Sequence, residues 1–200
     1  MYTLACTGGI GSGKSYVCKV FSAMGIPVYY ADERAKMLYH SESELLCELT
    51  TLLGDEIVSE GVLQKALFAK IIFSNPRLLN KVNEIVHPYV LKDFLAWKSE
   101  CRQRGKSLII IESAIILDVQ IFRNCIDGIL VVDAPIDVRI ARVIKRDSVD
   151  ERQVIERINR QMSSADMLSK ADYIIFADGK RAVLPQICDV LKQLTTTLNC

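Results

Sequence analysis

No apolar run in this chain approaches the ~18–20 residues that a membrane-spanning helix requires. No cationic segment followed by an apolar stretch opens it either, because a glycine-rich motif already begins at Gly8. These absences predict a cytoplasmic protein that is neither secreted nor membrane-spanning. An excess of one charge is missing too: 25 Lys and Arg stand against 24 Asp and Glu, a net charge of +1. That gives no sign of a nucleic-acid footprint or a polybasic membrane patch, so any cationic site must be local. Only two histidines occur, and the seven cysteines at 6, 18, 47, 101, 125, 188 and 200 show neither C-x-x-C nor Cys/His metal spacing. A zinc site and a disulfide framework are therefore not expected; the thiols read as reduced, several of them small core hydrophobes. What is present is 200 residues, 50% of them hydrophobic. That suffices for one full core with appended helices, arranged as one or two domains.

The most informative stretch is Thr-Gly-Gly-Ile-Gly-Ser-Gly-Lys-Ser-Tyr from Thr7 to Tyr16, which reads G-x-x-x-x-G-K-S from Gly8 to Ser15. A short apolar and β-branched run, Tyr2 to Cys6, precedes it, and Val17, Val20, Phe21 and Met24 come after it at helical spacing. Strand, glycine loop and helix are the context of a P-loop. Glycines let backbone N–H groups turn inward as an anion nest, and the helix aims its positive dipole end at the same spot. Gly9, Gly11, Ser12, Gly13, Lys14, Ser15 and Tyr16 are thus expected to bind ATP, with Lys14 on the β- and γ-phosphates and the Ser15 hydroxyl on Mg²⁺. A dinucleotide fold also places glycines between strand and helix, with an acidic residue where Asp32 stands. The spacing excludes it, since G-x-G-x-x-G puts Lys14 where the third glycine should be.

Gly25 and Pro27 end the first helix, and residues 27–30 read as a second strand with Asp32 at its end. Asp32 either caps a helix from Glu33 to Tyr39 or places a carboxylate at the sheet edge where ligands of open α/β sheets bind. From Ser43 to Arg104 helical periods dominate. Ser43 reads as the cap of a helix to Leu53 ended by Gly54; Leu63, Leu67 and Ile71 mark another; Asn75-Pro76 reads as N-cap and N1 of a third. His87-Pro88 reads as a break before a helix from Tyr89 to Arg104, closed by Gly105. His87 either marks that break or serves a site. Residues 108–111 form an apolar run typical of a buried parallel strand and end in Glu112, which can meet Mg²⁺, orient a substrate or cap the next segment. Residues 128–133 and 173–176 make the fourth and fifth strands, and Leu184 to Leu198 closes the chain as an amphipathic helix. The expected fold is a three-layer α/β/α sandwich on a five-stranded parallel sheet. Arg139, Arg142 and Arg146 share one helical face, with Arg152, Arg157 and Arg160 beyond them among carboxylates. Most of these charges read as a solvated pair of helices, while one or two arginines aimed at the P-loop would neutralise a transferring phosphoryl group.

Taken together, these motifs resemble the dephospho-coenzyme A kinase family over nearly the whole length. The resemblance rests on the glycine loop, on Tyr30-Ala31-Asp32 with Ala35 and Leu38, and on Gly61-Val62-Leu63 leading to Ile72-Phe73. It continues through Ile85-Val86-His87-Pro88, Glu112 to Asp118, Arg146-Asp147, Arg157 with Gln161, and Ala171-Asp172-Tyr173. It implies transfer of the ATP γ-phosphoryl to the ribose 3′-hydroxyl of dephospho-coenzyme A, with Mg²⁺. It also implies a nucleotide-binding core over 1–42 and 106–200, a helical substrate-binding insertion over 43–105 and a helical lid over about 145–165. On this basis Asp32 is the expected general base, Lys14 and Arg146 its catalytic companions, and Arg142 and Arg146 ligands of ATP. Asp32, Lys65, His87 and Glu112 are the expected substrate contacts. The implied partners are ATP and dephospho-coenzyme A, with no nucleic acid or membrane, for a monomer or small homo-oligomer.

Four departures stand out. Tyr30 replaces the first Asp of the family's Asp-Ala-Asp. Lys65 stands where an Arg is usual, which keeps the charge and loses the bidentate fork. Ser113 to Asp118 replaces a Pro-Leu-Leu-Phe-Glu segment, and Ala177 replaces an Asn whose contact to adenine its side chain cannot make. Two other readings stay open: a kinase of the same architecture acting on a nucleoside or nucleotide, and a GTP-dependent switch. The switch needs Asn-Lys-x-Asp after a late strand, whereas Asn80-Lys81-Val82-Asn83 lacks the Asp and lies in the helical stretch.

Overall fold

The computed structural model describes residues 1–198, with side chains through Thr196; Cys200 lies outside the described residues. Elements run in the order β1 (Tyr2–Thr7), α1 (Lys14–Ala23), β2 (Val28–Tyr30), α2 (Ala31–Ser41), α3 (Ser43–Leu53), β3 (Val58–Ser59), β4 (Val62–Leu63), α4 (Lys65–Ser74) and α5 (Pro76–Gln103). Then come β5 (Leu108–Glu112), β6 (Gly128–Asp133), α6 (Ile136–Asp147), α7 (Glu151–Asn159), α8 (Ser164–Leu168), β7 (Tyr173–Phe176) and α9 (Val183–Leu198). The chain divides into two compact units, one holding Met1–Tyr29 and the chain from Cys101 on, the other Tyr30–Glu100. Among the described residues no helix is long and apolar enough to cross a membrane.

The first unit is built on a parallel sheet of order β2-β5-β1-β6-β7 flanked by helices, with α1 packed against both α9 and the sheet. The middles of its central strands are apolar because both faces are covered: Leu4, Ala5, Ile109, Ile110, Ile111, Leu130 and Val132 have no exposed surface. The register sets Cys6 against Glu112 and Thr7 against Val131. The carboxyl ends of β1, β5 and β6 therefore bring Thr7, Glu112 and Asp133 to one edge. All five strands read from the sequence are found. Helix α1 ends on Gly25 at φ 82°, with Gly25 N–H bonded to Ser22 O and Ile26 N–H to Phe21 O. Cys6, Cys18 and Cys101 are buried as small apolar residues, whereas Cys47 is exposed.

The second unit corrects several local readings. Pro88 breaks nothing: α5 runs unbroken from Pro76 to Gln103. A proline inside a helix costs ~3 kcal/mol, but Val82, Val86, Val90 and Phe94 line one buried face at i, i+4 spacing. Pro88 lies on the exposed side, so its missing N–H leaves a carbonyl that can face water. Leu63 belongs to a strand rather than a helix, because β3 and β4 pair antiparallel about Glu60 and Gly61. Those two residues take φ 51° and 77°, the left-handed pair that a tight hairpin turn demands. Neither Asp32 nor Ser43 caps its helix; each lies in a first turn, and Tyr30 and Glu42 hold the extended cap positions. The reason is economy of chain: β2 runs straight into α2, and Glu42 alone separates α2 from α3. Asn75 does cap α5, its Oδ1 accepting from Arg77 N–H at 3.1 Å and Leu78 N–H at 3.3 Å.

Helix α2 is tied to α5 by a bidentate pair, Arg34 donating from Nε and Nη2 to the two carboxylate oxygens of Asp93. Phe94 sits beside this pair with no exposed surface and its ring centroid 6.1 Å from that of Trp97. Phe94→Ala is expected to destabilise the protein by about 3–5 kcal/mol, measured by urea denaturation. A loss below ~1 kcal/mol would show that this face of α5 does not organise the unit.

Candidate functional site

The end of β1 leads into a loop whose glycines are required by geometry. Gly8, Gly11 and Gly13 take φ of 147°, 77° and 102°, backbone that disfavours a side chain. A Cβ on Gly8 would strike Val132 O, one on Gly9 the Arg139 guanidinium, and one on Gly11 the Arg139 carbonyl. Helix α1 starts directly after Gly13, and no side chain caps it. The N–H groups of Gly13 and Ser15 donate to none of the described residues. An uncapped helix start beneath a glycine loop is a receptor for an anion.

Lys14 is buried, with 9% of its surface exposed, and its Nζ donates to Gly8 O at 2.7 Å and Gly9 O at 3.1 Å. The ammonium is thus held inside the loop. Two hydroxyls alongside, Thr7 Oγ1 and Ser12 Oγ, are buried and without a hydrogen-bond partner among the described residues. Buried polar atoms are nearly always satisfied, so this pair suits a ligand rich in oxygen acceptors. Glu112, 7% exposed, lies opposite Cys6 at the tip of β5. The Cys18 thiol is pushed above its usual range by its hydrogen bond with Cys6 and by burial; the Glu112 carboxylate adds to this and the Lys14 ammonium opposes it. Lys14 and Glu112 therefore act on one buried patch. Ser15 and Tyr16 are exposed on the first turn of α1, Tyr16 to 60%.

Helix α6 and the chain after α7 supply a second layer. Arg142 donates to Gly11 O at 3.3 Å, Ser12 O at 3.4 Å and Ala177 O at 2.7 Å. Its fork thus ties the loop to the end of β7, where the small Ala177 leaves room for Gly13. Arg139, only 6% exposed, donates from Nε to Ile10 O at 3.0 Å. Burial pushes its guanidinium below the usual range, and Asp133 offsets part of that shift. Gln161 Oε1 accepts from Ile10 N–H at 2.7 Å. Asp133 in turn accepts from the Ser164 hydroxyl at 2.6 Å, which anchors the start of α8.

Arg146 is engaged elsewhere. Its fork grips Asp147 at 2.6 and 3.0 Å, and Arg157 holds the same carboxylate at 2.9 Å. The hydrogen bond from Arg146 keeps the Asp147 carboxyl below its usual range. The Arg146 side chain is nevertheless 63% exposed.

In the second unit, Asp32 is exposed on the first turn of α2 and Lys65 is exposed at the start of α4. His87 is half-buried on α5, and burial pushes its imidazole below the usual range. None of the three lines the groove of about 450 Å³ formed by Glu48, Leu52, Lys81, Glu84, Ile85, Pro88 and Tyr89.

The structure thus gathers Gly9, Gly11, Ser12, Gly13, Lys14, Ser15, Arg142 and Glu112 around the carboxyl ends of β1 and β5. The sequence reading took Thr7 only as the start of the glycine stretch, counted Arg139 among the arginines of which one or two could face the loop, and met Gln161 only in the family resemblance. None of the three was singled out for the site. Among the described residues no group of three His, Cys, Asp or Glu side chains could hold a metal unaided. Ser15 and Glu112 are hard oxygen donors next to an anion receptor, which suits an ion held largely by phosphate and water, as Mg²⁺ is.

A family model described as dephospho-CoA kinase matches residues 2–182. The chain is 36% identical over 190 residues to the dephospho-CoA kinase of Bacteroides fragilis strain YCH46, covering 94% of this chain and 90% of that protein. It is 36% identical over 197 residues to the dephospho-CoA kinase of Porphyromonas gingivalis, covering 98% and 96%. Among solved structures, TT1252 from Thermus thermophilus aligns with a TM-score of 0.80 at 26% identity, over 98% of this chain and 97% of that one.

Proposed function

We propose a reaction for this chain, which belongs to the dephospho-CoA kinase family: it transfers the γ-phosphoryl of ATP to the ribose 3′-hydroxyl of dephospho-coenzyme A, giving coenzyme A and ADP. This is the last step of coenzyme A synthesis. The observation that carries the assignment of ATP to the first unit is the buried Lys14 ammonium, held on the Gly8 and Gly9 carbonyls above an uncapped helix start.

Phosphoryl transfer leaves the protein mainly positioning and charge stabilisation. The amides of the glycine loop and the start of α1 take the phosphate oxygens. Lys14 exchanges its carbonyl partners for the β- and γ-phosphates, and Ser12 and Thr7 offer hydroxyl donors. Ser15 and Glu112 would hold Mg²⁺, which would supply charge neutralisation at the phosphates. Arg142 serves ATP through the loop carbonyls it holds. Arg146 reaches the phosphates once they replace Asp147 as its anionic partner. Asp32 accepts the proton of the attacking hydroxyl, its exposed carboxylate anchored on a helix that Arg34 and Asp93 fix in place. Residues 43–105, including Lys65 and His87, form the substrate-binding part, and residues 145–165 close as a lid that keeps water from the phosphoryl group. The enzyme works in the cytoplasm.

The test is turnover of Mg-ATP with dephospho-coenzyme A beside a panel of nucleosides and nucleoside monophosphates, with the product read by ³¹P NMR. The expected result is ADP formation that depends on dephospho-coenzyme A, with a new 3′-phosphomonoester signal. Preference for another acceptor, or for GTP without any acceptor phosphorylated, would overturn the assignment.

A further inference from the structure

Ile10 is the one residue of the glycine loop held at both its backbone groups by side chains from distant parts of the chain. Its N–H donates to Gln161 Oε1 at 2.7 Å, and its C=O accepts from Arg139 Nε at 3.0 Å. The flanking residues are fitted to the same arginine. Gly9 lies against the Arg139 guanidinium, which a Cβ there would displace, and Gly11 lies against the Arg139 backbone, which leaves it no room for a Cβ. Arg139 is buried, and its Nη1 and Nη2 donate to none of the described residues. The one hydrogen bond its guanidinium makes among the described residues is spent on this loop.

We propose that Arg139 and Gln161 are positioning residues for the nucleotide phosphates. Together they clamp Ile10 so that the loop holds its receptor shape before ATP arrives. A glycine loop left free loses conformational entropy when it closes on a ligand, and that loss is subtracted from affinity. Holding Ile10 at two points moves the ordering into the folded protein. Gln161 lies just past α7, while Arg139 sits on α6. The clamp therefore makes ATP affinity depend on how the segment after α7 is seated, without either side chain touching substrate.

This inference rests on the reading of the loop as the ATP site, and its test separates the two. Gln161→Leu removes the acceptor and keeps the bulk; Gln161→Glu restores an acceptor oxygen. For Gln161→Leu the KM for ATP is expected to rise roughly tenfold, the size of one lost backbone hydrogen bond in a binding site. The KM for dephospho-coenzyme A and kcat are expected to stay within about twofold. Gln161→Glu is expected to recover most of the loss. Amide hydrogen exchange at Ile10, measured with no substrate present, is expected to speed up in the Leu variant and not in the Glu variant, at unchanged Tm. An unchanged KM for ATP in Gln161→Leu, a Glu variant as impaired as the Leu variant, or Ile10 exchange that ignores residue 161 would each overturn the clamp. Failure of wild-type protein to phosphorylate dephospho-coenzyme A would instead remove the reading beneath it, while the exchange measurement would still report on the clamp.

Discussion

Lys14→Met is expected to lower kcat by roughly 10²–10³-fold, the range found when a preorganised group facing developing charge is removed, and to weaken ATP binding as well. The buried ammonium has two roles here. Without ligand it satisfies Gly8 O and Gly9 O; in the proposed reaction it meets the phosphates of ATP. Methionine keeps the length and apolar stem of the side chain and supplies neither, so packing alone cannot rescue it. Lys14→Arg keeps the charge but brings a planar fork into a space shaped for a point charge, and it should recover only part of the activity. Steady-state kinetics with calorimetry of ATP binding decide the matter. A Lys14→Met enzyme with wild-type kcat and ATP affinity would remove the glycine loop from the reaction.

The second large effect is expected at Asp32. Asp32→Asn is nearly isosteric and keeps a polar group on the first turn of α2, so the fold should lose only the charge–dipole term of about 0.3–1 kcal/mol. In the proposed reaction, however, the proton acceptor is gone. kcat should fall by about 10²-fold or more, the lower part of the general-base range, while the KM for ATP changes little. This pattern distinguishes a base from a binding residue, because lost binding would raise KM at nearly constant kcat. Near-normal turnover by Asp32→Asn, with Tm unchanged, would reassign the proton to water or to another carboxylate.

The two positions also differ in how much of their local structure was legible. The setting of Lys14 was legible because it is local: a strand, four glycines, a lysine and a helix within a few residues of one another dictate the loop. The five strands were legible for a similar reason, since apolar runs such as residues 108–111 have one stable place, between covered faces. Asp32 was half legible. Its position past β2 was correct, but local rules made it a helix cap, and only the direct run of β2 into α2 shows that Tyr30 takes that place. Pro88 misled for the opposite reason. Its effect on the backbone is local and well known, whereas the buried row of Val82, Val86, Val90 and Phe94 that overrides it spans more than three turns.

The order of strands, glycine loop and helices and the family of the chain are set by residues near one another in sequence. Propensity, periodicity and turn geometry act over a few residues, so a linear reading suffices for them. Contacts that close over the loop are not set in this way. Gln161 meets Ile10 across 151 positions and Arg139 meets it across 129, and no local rule states which of several arginines and glutamines the folded chain will bring there. Packing of α6 and of the chain after α7 against the sheet edge chose them, because burial selects side chains by where the whole chain places them.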